Sequence, residues 1–298
     1  MIIPKKINID DKIGIIATAR KISFKELNPA IEILESWGLR VVFGRFLFED
    51  HNQFSGTVEQ RAADLQNMIN DDSIKAILCA RGGYGTVHII DKIDFSKLTK
   101  NPKWIIGYSD ITVLHSHLNQ LGLATLHATM PINFSKNTQK SLESFKNILF
   151  GRANIIKSPS HKFNRLGKVE TEIVGGNLSV LHSLLGSESD INTVGKVLFI
   201  EDLDEYLYHI DRMMINMKRN GKFKDVRGMI IGGMSDMNDN DIPFGKTAEE
   251  IILEYIKEYN FPVCFGFPSG HLDDNRAITL GVNSVLDIYE NGVSLSQS

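Results

Sequence analysis

Trp104-Ile105-Ile106-Gly107-Tyr108-Ser109-Asp110-Ile111-Thr112 is the stretch on which the fold turns. Its apolar first half has the length of a buried strand, and Ile111, Leu114, Leu118 and Leu121 then recur at helical spacing until Gly122 stops the helix. A strand that passes directly into a helix is the repeating joint of a sheet with crossover helices. The joint also sets a serine at the turn, where the hydroxyl is exposed beside helix N-terminal amides that can receive the charge of a tetrahedral intermediate. It is an analogue of the G-x-S-x-G elbow in which Ile111 stands for the last glycine. On this stretch alone Ser109 reads first as an ordinary N-cap, serine being among the favoured cap residues, and the second element needed to shift that reading lies in the preceding turn.

Toward the N-terminus the same joint repeats. Ile13 to Ala17 reads as a buried strand, and Ser23 with Glu26 forms a capping-box pattern for a helix whose regular part is expected to start near Pro29 and which Gly38 closes. Leu39 to Phe43 is a second strand, and Thr57 with Gln60 caps a helix carrying Ala62, Leu65 and Ile69. A third strand, Ile74 to Ala80, ends in Arg81-Gly82-Gly83-Tyr84-Gly85, a tight turn with exposed amides. This turn lacks both G-x-G-x-x-G and G-x-x-x-x-G-K-[ST], which makes a nucleotide loop the weaker interpretation. On a common sheet edge, where ligands of open α/β sheets bind, amides of Gly82 or Gly83 join that of Asp110 as an oxyanion hole.

Toward the C-terminus the pattern dissolves around Gly151, Pro159 and Gly167, so a linker is expected at 151–167 between units 1–150 and 168–298. The second unit offers strands at Lys196 to Ile200, Gly228 to Ile231, Val263 to Phe267, Ala277 to Leu280 and Val285 to Tyr289, with helices near Asn177 to Leu185 and Thr247 to Tyr259. The expected fold is α/β: an N-terminal Rossmann-like sheet domain with crossover helices, plus a smaller mixed α+β C-terminal domain. A chain of 298 residues exceeds the size one core serves efficiently, which agrees with two units.

With 42% hydrophobic and 23% charged residues and a formal net charge of -3, the chain has the make-up of a soluble globular protein without a basic field for nucleic acid. No apolar run approaches the roughly 20 residues of a membrane span, and the N-terminus has no secretory pattern, so a cytoplasmic protein is expected. Cys79 and Cys264 lie in apolar runs, as small hydrophobes do, and no disulfide is expected in a reducing compartment.

A serine nucleophile needs a base, and the base an orienting partner. His115 and His117 follow Ser109 on one helix but point away from each other, and they read as packing or surface residues. His271 stands in Phe265-Gly266-Phe267-Pro268-Ser269-Gly270-His271, a loop directly after a strand, where catalytic groups tend to sit. For the acid, Glu201 opens Glu201-Asp202-Leu203-Asp204-Glu205, a segment expected to be mostly a solvated loop. Spacing does not choose among its carboxylates. The nine histidines contain no H-E-x-x-H, His88, His161, His182 and His209 lack companion ligands, and no metal is assigned.

Several motifs now stand in order: Asp11-Lys12-Ile13-Gly14-Ile15-Ile16-Ala17, Ala80-Arg81-Gly82-Gly83-Tyr84-Gly85, Gly107-Tyr108-Ser109-Asp110, Gly175-Gly176-Asn177-Leu178, Leu198-Phe199-Ile200-Glu201-Asp202 with Tyr208-His209-Ile210-Asp211-Arg212-Met213, and Gly266 to His271. With them the chain resembles, over nearly its whole length, the LD-carboxypeptidase family of serine peptidases, also called muramoyltetrapeptide carboxypeptidases. The resemblance, not spacing, selects Glu201 as the residue orienting the base His271, with Ser109 as nucleophile. It implies release of the terminal D-alanine of a murein tetrapeptide in peptidoglycan recycling, at a cleft bordered by Gly176 and Asn177, by a homodimer without cofactor. The alternative within the family is a microcin self-immunity peptidase that cleaves a peptidyl-nucleotide. The longer insertions typical of that branch are missing from this compact chain. A non-catalytic small-molecule binding protein is the alternative outside it. Glu205-Tyr206-Leu207-Tyr208 departs from the family pattern by lacking a proline before the tyrosine.

Overall fold

The computed structural model describes residues 1–297. Its first sheet is built from β1 (Lys12–Ile16), β2 (Arg40–Phe43), β3 (Ile74–Cys79), β4 (Trp104–Gly107) and β5 (Thr125–His127). The intervening helices are α1 (Phe24–Ser36), α2 (Val58–Asn70), the short α3 (Ser96–Lys100) and α4 (Thr112–Gln120). These five strands are parallel, as crossover helices require. Successive strand residues alternate between two cores: Ile15, Ala76, Leu78 and Ile106 pack with Leu27 and Leu34 of α1 on one face, and Ile16, Ile77, Cys79 and Ile105 pack with Leu65 of α2 and Leu114 of α4 on the other.

After α5 (Gln139–Leu149) the chain builds a second sheet from β6 (Asn154–Pro159), β7 (Gly167–Asn177), β8 (Val197–Leu203), β9 (Gly228–Ser235) and β10 (Val263–Cys264), with α6 (Leu178–Ser183), α7 (Leu207–Arg219) and α8 (Ala248–Ile256) between them. Following β11 (Ile278–Leu280), the hairpin β12 (Asn283–Tyr289) and β13 (Gly292–Gln297) completes it, giving the order β10-β9-β8-β7-β12-β13-β6. β7 to β10 are parallel, while β12, β13 and β6 are antiparallel, so this sheet is mixed as the sequence suggests.

Four expectations change. The stretch 151–167 contains β6, an edge strand whose alternating residues read inside and outside. The strand expected at Ala277 to Leu280 in the second unit is β11, which pairs antiparallel with β5 and so completes the first sheet as β11-β5-β4-β3-β1-β2. The helix at Ser23 starts at Phe24, well ahead of Pro29, because the capping box satisfies its first turn. Finally, β8 runs past Ile200 to Leu203, so Glu201 and Asp202 are buried strand residues instead of a solvated loop.

Candidate active site

The C-terminal ends of β3 and β4 deliver the glycine-rich turn and Ser109 to one edge of the first sheet. Ser109 has φ +64, the left-handed conformation that a residue with a side chain adopts only when its surroundings impose it. It is no N-cap: neither the turn it opens nor α4 has a side-chain cap, and Ser109 Oγ has no hydrogen-bond partner among the described residues. The hydroxyl is thus held at a strained elbow and left uncommitted.

Gly82 lies against it. A Cβ on Gly82 would sit 3.1 Å from Ser109 Cβ, 3.2 Å from Ser109 Oγ and 3.4 Å from the Asp110 amide nitrogen. The same position on Gly83 faces the side chain of Arg20 instead. Of the two glycines, Gly82 is the one next to the serine.

From the second sheet and the loop beyond it come Glu201 and His271. Glu201, within β8, is 0% exposed, and the loop after β10 carries His271 back over it. The carboxylate Oε2 accepts from the His271 amide at 3.1 Å and from His271 Nδ1 at 2.6 Å. This bond fixes the proton on Nδ1 and leaves Nε2 as the free ring nitrogen. The loop reaches Glu201 because Gly270 takes φ +106 there, where a Cβ would stand 2.6 Å from Glu201 Cβ. Its path is pinned by Asn275 Oδ1, which accepts from the Gly270 amide at 2.9 Å, and by Ser235 Oγ, which donates to the His271 carbonyl at 2.7 Å.

The two halves meet at the ring of Tyr108, whose centroid is 4.8 Å from that of His271. Ser109 is the next residue. No hydrogen bond joins Ser109 Oγ to His271, a separation common in enzymes without substrate. Gly176 and Asn177 end β7 beside Ile200 and Glu201 of β8, and the Asn177 amide donates to Thr112 Oγ1 of α4 at 3.0 Å, tying the second sheet to the serine's helix. The Asn177 side chain is engaged internally: Nδ2 donates to Asp202 Oδ1 at 2.8 Å, and Oδ1 caps α6 through the Val180 amide at 3.1 Å.

Charge follows from this packing. Burial alone would push the His271 imidazolium down, but Glu201 outweighs it by its charge and its hydrogen bond, with help from Asp202, and the pKa is raised above the ordinary 6.5. Burial, together with the neighbouring Glu201 charge, pushes Asp202 up to about 7. Behind the site, burial pushes His115 down to about 4 and His127 well below its ordinary value, so neither competes as a base at neutral pH. Among the described residues no group of three or more His, Cys, Asp or Glu side chains is placed to hold a metal ion, and no helix is long and apolar enough to cross a membrane. Cys79 and Cys264 are free and buried, and burial pushes both thiols up to about 12.

Residues 13–128 match the LD-carboxypeptidase N-terminal domain, and residues 170–286 match the LD-carboxypeptidase C-terminal domain. The chain belongs to the LD-carboxypeptidase family. Among LD-carboxypeptidase relatives, the probable murein peptide carboxypeptidase of Bacillus subtilis is 37% identical over 293 residues, covering 96% of this chain and 92% of its own. The crystal structure of muramoyltetrapeptide carboxypeptidase from Oxalobacter formigenes superimposes with a TM-score of 0.88 at 26% identity, over 96% of this chain and 98% of that one. The microcin C7 self-immunity protein MccF of Escherichia coli is 25% identical over 327 residues, covering 97% of this chain and 94% of its own. Membership makes this chain a carboxypeptidase of the serine type. Sequence reasoning missed Asn275, Ser235 and Thr112, whose contributions are single hydrogen bonds across long sequence separations and carry no local signal.

Proposed function

We propose that this LD-carboxypeptidase releases the terminal D-alanine of a murein tetrapeptide by an acyl-enzyme route. Ser109 Oγ attacks the carbonyl carbon of the L,D bond while His271 Nε2 takes the hydroxyl proton. The oxyanion is met by the amides of Gly82 and Asp110. His271 then protonates the leaving nitrogen, the carbon–nitrogen bond breaks, and D-alanine departs. Water, deprotonated by the same nitrogen, hydrolyses the ester. Glu201 holds Nδ1 protonated and stabilises the imidazolium formed in each half-reaction. The observation that carries this reading is the buried 2.6 Å bond between Glu201 and His271, set beside a serine that is strained and uncapped.

A murein substrate is supported by relatives named for murein peptides that span nearly the whole chain. The self-immunity relative favours a second reading, cleavage of a peptidyl-nucleotide. Incubation with a murein tetrapeptide and, separately, with an aspartyl-adenosine conjugate distinguishes them. Release of D-alanine with the conjugate left intact is the expected result, and the reverse pattern overturns the murein assignment. A cytoplasmic homodimer belongs to the same proposal through the family resemblance, and light scattering of the purified protein tests the dimer.

A further inference from the structure

Arg61, on α2, is 2% exposed and has no carboxylate within ion-pair distance among the described residues. A buried cation without a counter-ion is costly unless its donors are well used. Here one nitrogen, Nη1, donates to two backbone carbonyls, Thr18 at 2.6 Å and Gly85 at 2.9 Å, and the guanidinium stands 4.8 Å over the ring of Phe54. Gly85 closes the glycine-rich turn. At φ +141, a Cβ there would lie 2.7 Å from Nη1, so only glycine lets the carbonyl come this close.

The next residue is held from the other side. The Thr86 amide donates to Asp110 Oδ2 at 2.9 Å, and the hydroxyls of Thr86 and Thr18 are hydrogen-bonded at 2.8 Å. Asp110 is 3% exposed and immediately follows Ser109. A buried guanidinium and a buried carboxyl group therefore grip the dipeptide Gly85-Thr86, Arg61 by its carbonyl and Asp110 by its amide. The other end of the turn, Gly82, rests on Ser109.

We propose that Arg61 is a positioning residue of the reaction: through Gly85 it holds the turn against the Ser109-Asp110 peptide, so that the oxyanion donors are set before substrate arrives. This inference rests on the reading of Ser109 as nucleophile. Its test is Arg61→Met, with the charge-neutral pair Arg61→Met/Asp110→Asn as the second variant should the first not fold. D-alanine release is measured per active site titrated with a serine-reactive fluorophosphonate, which counts only folded, competent molecules. Displacing preorganised donors by about an ångström is expected to lower kcat per titrated site about 10²-fold, with KM within about three-fold of wild type. A merely structural role would lower the number of titrated sites and leave kcat per site at the wild-type value, and that result overturns the proposal. Wild-type protein that is not labelled on Ser109 overturns the functional reading and this inference together. A labelled, active wild type with unchanged variants overturns this inference alone.

Discussion

The left-handed backbone of Ser109 stores strain that a glycine would not, and such strain costs about 1–3 kcal/mol. Ser109→Gly is therefore expected to raise stability by about 1 kcal/mol in chemical denaturation while abolishing turnover, whereas Ser109→Ala keeps the strain and lowers kcat roughly 10⁴-fold. At Glu201 the charge matters more than the shape. Glu201→Gln is expected to lower kcat roughly 10²- to 10⁴-fold, and Asp202→Asn to be much milder. The acidic limb of kcat/KM reports the free enzyme's base, so in wild type it should lie above 6.5, because the His271 pKa is raised. In Glu201→Gln the limb should move toward lower pH, since burial remains while the attraction is gone. Asp202 has a separate signature. Its folded-state pKa, about 7, lies above the ordinary 3.8, so the folded state holds the extra proton and stability falls as pH rises across that window. The raised His271 pKa has the same sign and extends the fall above 6.5. Thermal melts of Asp202→Asn from about pH 4 to 7 should show a flatter decline than wild type. Ser109, His271 and their turns were legible because each sits at a strand end marked by glycine, whereas the choice of Glu201 among four carboxylates was not, since burial is decided by how far β8 extends.

At the level of elements, the site depends on close approach between turns. Gly82→Ala is expected to press a methyl group onto Ser109 at about 3 Å, where neither backbone can give freely, and to lower kcat at least ten-fold with little loss of stability. Steady-state kinetics alongside a thermal melt checks this, and unchanged kcat would mean that the turn does not border the reacting atoms. The helices preceded by Ser23 and Thr57 were readable because complete capping boxes fix their first turns. α7 was equally present in the sequence, since Ile210, Met213, Met214 and Met217 recur on one face, but its charged and aromatic neighbours masked the period. β6 and β7 flank punctuating residues that read as a linker, because edge and hairpin-paired strands need no continuous apolar run.

Across the whole molecule, β11 crosses from the C-terminal part of the chain into the first sheet, so the first sheet is not complete without the C-terminal segment. Unfolding is accordingly expected to be a single transition. Fluorescence of Trp37 and Trp104, both in the first unit, should change at the same temperature as far-UV ellipticity, and two resolved midpoints would mean that the units fold independently. The same crossing brings Glu201 and His271 onto the edge that carries Ser109, a long-range arrangement that local patterns do not encode. The most direct test of that arrangement is mass-spectrometric measurement of alanine release from two murein tetrapeptides that differ only in the configuration of the last residue, with wild type and Ser109→Ala side by side. The expected result is release by wild type from the D-terminated peptide alone and none by Ser109→Ala. Equal release from the L-terminated peptide, or turnover that survives Ser109→Ala, would contradict it.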